Sequence, residues 1–397
     1  MGRVIILMMD SFGIGGAPDA AQFDNAGANT FAHIVAAVPD LKIPNLLSLG
    51  LAEAAAEACG QKAVLAPQPP AQIHLPAKYG HMREISRDKD TVSGHWEMAG
   101  LPNLKGWGHF KPDYPSFPAE LVAKITEEAE IPGILGNKAA SGTVIIQELG
   151  EEHLRSGKPI FYTSADSNMQ IAAHETCFGL EKLYRLCEIA YKHVQPYHIG
   201  RIIARPFIGE KNGAFERTTN RRDYTAQPFG ETLLDRAQSA GIEVVAVGAI
   251  NDIYAHRGIS RGRHAAKLEE LWNVTLEEVS QAPDRSLIFT NFEDFDMYYG
   301  HRRNPLGYAR ALEYFDRRLP ELLPLLKEDD LVFITADHGN DPTWEGTDHT
   351  REQVPVLVFG HKLTAENLGQ RQTYADIAQS IAAFFGLRPF AYGESFL

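Results

Sequence analysis

The segment Thr335-Ala336-Asp337-His338-Gly339-Asn340-Asp341 sets a carboxylate and an imidazole at the end of an apolar run, 331–334. A second imidazole, His349, comes eleven positions after His338, just ahead of another apolar run, 354–359. Hard oxygen and borderline nitrogen donors placed this way suit divalent metals at the edge of a parallel sheet. Two more strand ends repeat the pattern. Asp10 leaves the run 4–8, and Asp296 and His301 follow the run 287–290. Taken singly, Asp10 could equally cap a turn, and 293–296 could be a solvated acidic loop holding a stray histidine. A third strand ending in the same chemistry weakens both plain roles. Asp296 and His301 are five apart, too far for one helical face, and are expected to converge across a loop. The glycines after Asp10, Gly13-x-Gly15-Gly16, do not match the G-x-G-x-x-G of a dinucleotide loop.

Asp10, Asp296, His301, Asp337, His338 and His349 together offer three carboxylates and three imidazoles, enough for two metals with positions left open. Two ions about 3.5–4 Å apart clamp the attacking and leaving oxygens of a phosphoryl transfer. Mixed oxygen and nitrogen ligation favours Mn²⁺ or Zn²⁺ over Ca²⁺, with Mg²⁺ open at one position. A nucleophile belongs beside them. Asp88-Lys89-Asp90-Thr91-Val92-Ser93-Gly94-His95-Trp96-Glu97 places two hydroxyls at the expected start of a helix, where backbone N–H groups favour a phosphate. The plainer role for Thr91 is that of an N-cap.

These residues need a frame. Near-continuous apolar runs at 4–8, 244–247, 287–290, 331–334 and 356–359 imply strands buried on both faces, with helices on both sides of an α/β sheet. Helical patterns cover 307–326 and 374–385, the latter with Thr373 and Asp376 as a capping box and Gly386 as its stop. The middle of the chain differs: a proline-rich start at 111–115, strands at 159–163 and 200–204, and a helix at 180–193. The candidate metal ligands all lie outside it. We therefore expect a discontinuous core of residues 1–104 and 226–397, with 105–225 an inserted α+β cap domain.

Composition narrows the function. With 397 residues and 44% hydrophobic content the chain can bury a large core. A formal net charge of -13 excludes a non-specific nucleic-acid binder, which needs basic surface. The run 4–8 is cut short by Asp10, so no secretory segment or membrane span is expected. Cys59, Cys177 and Cys187 have no C-x-x-C spacing and read as reduced packing residues, which together place the protein in the cytoplasm. A monomer or weak homo-oligomer is expected.

The motifs Met9-Asp10-Ser11-Phe12-Gly13-Ile14-Gly15, Lys89-Asp90-Thr91-x-Ser93-Gly94-His95-Trp96-Glu97, Thr163-Ser164-Ala165-Asp166-Ser167, Ile203-Ala204-Arg205-Pro206-Phe207, Asp294-Phe295-Asp296, Gly300-His301-Arg302-Arg303 and Thr335-Ala336-Asp337-His338-Gly339 through His349-Thr350-Arg351-Glu352 run nearly end to end. In order and content they resemble the bacterial phosphopentomutases of the alkaline phosphatase superfamily. The resemblance implies an alkaline-phosphatase-like core with an inserted cap, two Mn²⁺ ions, and interconversion of ribose 1-phosphate and its 2-deoxy analogue with the 5-phosphates. It assigns Asp10, Asp337 and His338 to one metal and Asp296, His301 and His349 to the other. Thr91 matches the threonine that carries the phosphoryl group, primed by a sugar bisphosphate. Ser164 and Asp166 match sugar-hydroxyl binders, and Arg205, with Arg201, would hold the distal phosphate, since the planar fork of arginine pairs two phosphate oxygens; Arg217 and Arg221 are further phosphate candidates on the same chemistry.

Two departures bear on substrate choice. Gly248-Ala249-Ile250 stands where the family has Gly-Lys-Ile, and Asp88 replaces a glycine. The missing positive charge could be relocated to Arg257 or Arg261. Other readings of the same residues are a metal-dependent phosphatase or phosphodiesterase, or a mutase acting on another phosphosugar.

Overall fold

The computed structural model describes residues 2–164 and 167–397. The chain forms two compact units, Met1–Lys105 with Pro228–Leu397, and Gly106–Gln227.

The larger unit is an α/β domain built on one nine-stranded sheet. Its centre is the strand Val4–Met8, flanked by Ser286–Asn291 on one side and Leu331–Thr335 on the other, both parallel to it. All five residues of Val4–Met8 are buried, as are all of Leu331–Thr335 and Ser286–Asn291. Since successive side chains point to opposite faces, burial of every residue requires helices to cover both sides. The strand Glu243–Val247 continues the parallel set beside Ser286–Asn291.

The sheet is not parallel throughout. The strand Glu352–Phe359 runs antiparallel to Leu331–Thr335, and on its other edge antiparallel to Ala77–Met82. The cause is local: residues 336–351 hold no helix, and a parallel return requires a crossover, usually helical. An apolar run alone does not report direction, because Glu352–Phe359 is also buried throughout.

Three helix expectations are corrected. The helix Pro305–Arg318 ends eight residues before 326 and gives way to the 3-10 segment Leu319–Leu325. Pro320 and Pro324 have no N–H to continue an α-helical ladder. The last helix, Ala375–Phe385, stops at Gly386 in the left-handed region, but Thr373 and Asp376 form no capping box. Asp376 is instead taken by Arg371 and the N–H of Glu394. Finally, Asp296 and His301 are joined by a π-helical turn, Phe295–Gly300, in which the His301 N–H donates to the Asp296 carbonyl at 3.0 Å. A spacing of five misses an α-helical face but closes one turn of π-helix.

Gly106–Gln227 carries its own six-stranded sheet, ordered Leu135–Ala139, Ile160–Thr163, Asn168–His174, Arg201–Ile208, Glu216–Arg217, with Arg222–Thr225 also paired to Arg201–Ile208. Alternate residues serve two cores. Phe161, Met169, Ile171 and Ile202 pack in one cluster with Leu121, Ile125 and Leu183, and Ile160, Tyr162 and Ala172 pack in the other with Ile145 and Ile146.

Candidate metal centre and nucleophile

Three adjacent parallel strands deliver the three carboxylates to one end of the core sheet. Asp10 leaves Val4–Met8, Asp337 leaves Leu331–Thr335, and Asp296 follows Ser286–Asn291 through the π-helical turn. Ser11, held in the left-handed region at φ 69°, turns its N–H onto Asp337 Oδ1 at 3.0 Å.

Ligand-type atoms form two groups, Asp10 with Asp337 and His338, and Asp296 with His338 and His349, the atoms of each lying within 4.8 Å of one another. His338 Nε2 is 3.6 Å from Asp10 Oδ1 and 3.3 Å from Asp337 Oδ2. His301 joins the second group, its Nε2 3.0 Å from Asp296 Oδ2 and 3.1 Å from His349 Nε2. His349 Nε2 is 3.4 Å from Asp296 Oδ1. All six residues expected as ligands are thus brought together, with His338 reaching both groups.

Two observations show that these residues fit divalent cations. Asp10 Oδ1 and Asp337 Oδ2 are buried without a hydrogen-bond partner among the described residues. His95 Nδ1 is 3.1 Å from Asp337 Oδ2, but its N–H donates to the Thr91 carbonyl at 2.8 Å. Each histidine has a carbonyl acceptor at Nδ1: Gly339 for His338, Thr347 for His301, Lys89 for His349. Donation there fixes the proton on Nδ1 and leaves the Nε2 lone pair facing the cluster, as metal-ligating histidines require.

The electrostatics agree. Burial, then the nearby charges of Asp337 and Asp296, push the Asp10 carboxyl well above its usual range. Burial acts in the same direction on Asp296, but His349, His301 and His338 outweigh it and hold that carboxyl well below its range. Burial lowers His338, whereas Asp296 overcomes burial at His349 and lifts it to about 9, so in the metal-free protein His349 Nε2 carries a proton that a bound cation would displace. Carboxylates crowded tightly enough to repel one another, with imidazoles turned inward, make a set that a cation stabilises.

Thr91 opens the helix Thr91–Met98, and Asp90 is the N-cap, its side chain accepting from the N–H groups of Val92 and Ser93. The capping role is therefore filled by Asp90. The Thr91 hydroxyl lies 3.1 Å from His338 Nε2. Gly94 allows this approach, for a Cβ there would stand 2.1 Å from the Asp337 carbonyl oxygen.

In Gly106–Gln227, Arg205 donates to Gln170 at 3.1 Å and Arg217 to the Tyr162 hydroxyl at 3.1 Å. Burial, then the charges of Arg221 and Arg217, lower the Arg205 guanidinium, which places the three in one electropositive neighbourhood. Arg221 pairs Asp223 through two bonds of 2.6 Å, and Arg201 lies 3.5 Å from the same carboxylate. Ser164 Oγ accepts from Asn168 at 2.6 Å, and Asp166 lies outside the described residues. Arg257 and Arg261 do not stand in for a lysine at 249. Arg257 is committed to Asp235 and the carbonyls of Pro228 and Gly230, and Arg261 to Glu243 and Glu278.

Sequence reasoning missed the residues behind the ligands. Asn291 donates to Asp10 Oδ2 and Asn340 to Asp296 Oδ1, each at 2.7 Å. Asn291 was visible as the residue ending a ligand-bearing strand, but nothing in the sequence marks Asn340 apart from its place two positions beyond His338.

Residues 2–389 match the model of the Metalloenzyme superfamily. The chain belongs to this superfamily of metal-dependent enzymes, and its α/β fold is of that class. Among curated relatives, the phosphopentomutase of Elusimicrobium minutum is 59% identical over 397 residues, covering the whole of both chains. That of Shewanella loihica is 56% identical over 407 residues, again covering both in full. The chain belongs to the phosphopentomutase family, and its chemistry is that of a mutase, an isomerase. Among solved structures, a Pyrococcus horikoshii protein, 12% identical, matches over 99% of each chain with a TM-score of 0.48.

Proposed function

We propose that the protein interconverts ribose 1-phosphate, and its 2-deoxy analogue, with the corresponding 5-phosphates through a phosphorylated Thr91. The observation that carries the reading is the Thr91 hydroxyl at a helix N-terminus, 3.1 Å from an imidazole shared by both ligand groups. Asp10, Asp337 and His338 would hold one divalent ion and Asp296, His301 and His349 a second; their mixed donors suit Mn²⁺ or Zn²⁺, and the family resemblance favours Mn²⁺. When bound, such ions neutralise the charge that develops in phosphoryl transfer.

The chain's own residues do the rest. A sugar bisphosphate primes Thr91 by giving up one phosphoryl group. The O–P bond at Thr91 then breaks as a new one forms to the free hydroxyl of the sugar phosphate, whose proton is released. The other phosphoryl of that bisphosphate returns to Thr91, and the isomeric monophosphate leaves. N–H groups in the first turn of Thr91–Met98 offer donors to the carried phosphate. We assign residues 106–227 the role of substrate-binding cap, with Ser164 and Asp166 for the sugar and Arg205, Arg217, Arg221 and Arg201 for the distal phosphate. The clustering of Arg205, Arg217 and Arg221 supports this assignment. Free Cys59, Cys177 and Cys187 suit the cytoplasm, and no helix among the described residues is long and apolar enough to cross a membrane.

Intact-protein mass spectrometry after incubation with a sugar bisphosphate tests the mechanism. One added phosphoryl group mapping to the peptide that contains Thr91 is expected, and its absence with isomerase activity retained would rule the mechanism out. Phosphate release as fast as isomerisation would favour a phosphatase built on the same residues.

A further inference from the structure

We infer that Arg303 is a positioning residue for one half of the metal centre, the half made by Asp296, His301 and His349. The inference rests on the reading above that these three residues hold an ion. The Arg303 guanidinium makes five hydrogen bonds, four of them to backbone carbonyls: Gly346 at 2.7 Å, Gly300 at 2.9 Å, Asp348 at 2.8 Å and Asp341 at 3.1 Å. The fifth goes to the side-chain oxygen of Asn340 at 2.5 Å.

Four of the five partners lead to a ligand in one further step. Asn340, its oxygen held by Arg303, turns its amide N–H onto Asp296 Oδ1 at 2.7 Å. The carbonyls of Gly346 and Asp348 bracket Thr347, whose own carbonyl accepts from His301 Nδ1 at 2.6 Å. Asp348 is followed directly by His349. Gly300 precedes His301, and a Cβ at that glycine would come within 2.7 Å of the Asn340 side chain, so the amide packs flush against the turn bearing the ligand. Arg303 itself sits in the left-handed region at φ 51°, a conformation that non-glycine residues hold when their surroundings over-determine it.

The other half is built without a guanidinium. Asn291 holds Asp10, the Ser11 N–H holds Asp337, and His338 Nδ1 faces the carbonyl of its own neighbour, Gly339. Loss of the Arg303 fork should therefore weaken one ion and spare the other. Lysine, a point donor on a flexible stem, cannot serve five acceptors arranged around a plane.

Metal-stripped protein titrated with Mn²⁺, read by calorimetry and by the loss of the free-ion EPR signal, tests the inference. Wild type should bind two ions. Arg303→Met and Arg303→Lys should each keep one at wild-type affinity and weaken the other by about 10–100-fold, while Arg310→Met on the exposed face of Pro305–Arg318 keeps both. Asn340→Ala, which leaves the guanidinium in place, should weaken the same ion. Retention of both affinities in Arg303→Met overturns the inference. So does an equal loss at both sites together with a lower melting temperature of the stripped protein, the mark of a general structural role. Fewer than two ions bound by wild type would remove the two-metal reading and the inference with it.

Discussion

The hydroxyl of Thr91 stands 3.1 Å from Nε2 of His338 because Asp90, one residue earlier, has taken the task of capping the helix. Thr91→Val keeps the shape and removes the oxygen. Isomerase activity should fall by more than about 10³-fold with the melting temperature within 2–3 °C of wild type, in roughly the range of a lost catalytic nucleophile. Thr91→Ser should keep measurable activity and still gain a phosphoryl group in the mass spectrum. A Thr91→Val enzyme with wild-type turnover would remove Thr91 from the chemistry.

Gly94 lies against the backbone of Asp337, where a Cβ would stand 2.1 Å from the carbonyl oxygen. Gly94→Ala must push the helix away from the strand end or move Asp337. Alanine is the better helix former, so propensity alone predicts stabilisation by about 1 kcal/mol. Overpacking should win, with a net loss of about 1–3 kcal/mol in urea unfolding. A stabilised Gly94→Ala protein would contradict the close approach.

Much of this could be read from the sequence, for identifiable reasons. The strand Val4–Met8 was legible to the residue because both its faces are buried, which leaves an unbroken apolar run. The six residues that gather beside one another at this end of the sheet were legible because histidine and aspartate following strand ends are chemically unusual. The antiparallel return of Glu352–Phe359 was not, since burial pattern carries no direction. Nor were Asn340 and Arg303, whose roles depend on contacts across a loop of ordinary composition. The capping box at Thr373 and Asp376 failed because Arg371 and Glu394 compete for the same carboxylate.

Arg351 is a buried cation with two carboxylate partners, Glu84 at 2.5 Å and Asp19 at 3.0 Å, and its fork also binds the carbonyls of Glu84, Ser86 and Asp88. It thereby fastens the segment leading to Thr91 onto the segment leaving His349. Arg351→Met leaves Glu84 buried without its cation and should cost about 3–5 kcal/mol in chemical unfolding. Adding Glu84→Gln should recover part of that loss, and a double variant no more stable than Arg351→Met would contradict the pairing.

Asp316 accepts the N–H groups of Leu46 at 2.7 Å and Asn45 at 3.3 Å, yet burial outweighs these bonds and lifts its carboxyl to about 6. Its folded pKa is above the unfolded one, so between about 6 and 3.8 the folded state holds the extra proton. Stability from this group therefore rises as pH falls through that window and declines as pH rises through it. In metal-stripped protein, wild type should gain in urea midpoint relative to Asp316→Asn as pH is lowered from 7 to about 5. A constant difference across that range would show that Asp316 is ionised throughout.

The strand Val4–Met8 lies between Ser286–Asn291 and Leu331–Thr335, so Asp10 meets its companions only across most of the chain's length. A ribosome must therefore release nearly the whole polypeptide before the first strand has neighbours, and until then a continuous apolar segment waits without a sheet. Residues 106–227, with six strands of their own, can close while synthesis continues. Metal loading is consequently a late event in the life of the nascent protein, and the first strand is the stretch that a holding chaperone would need to shield.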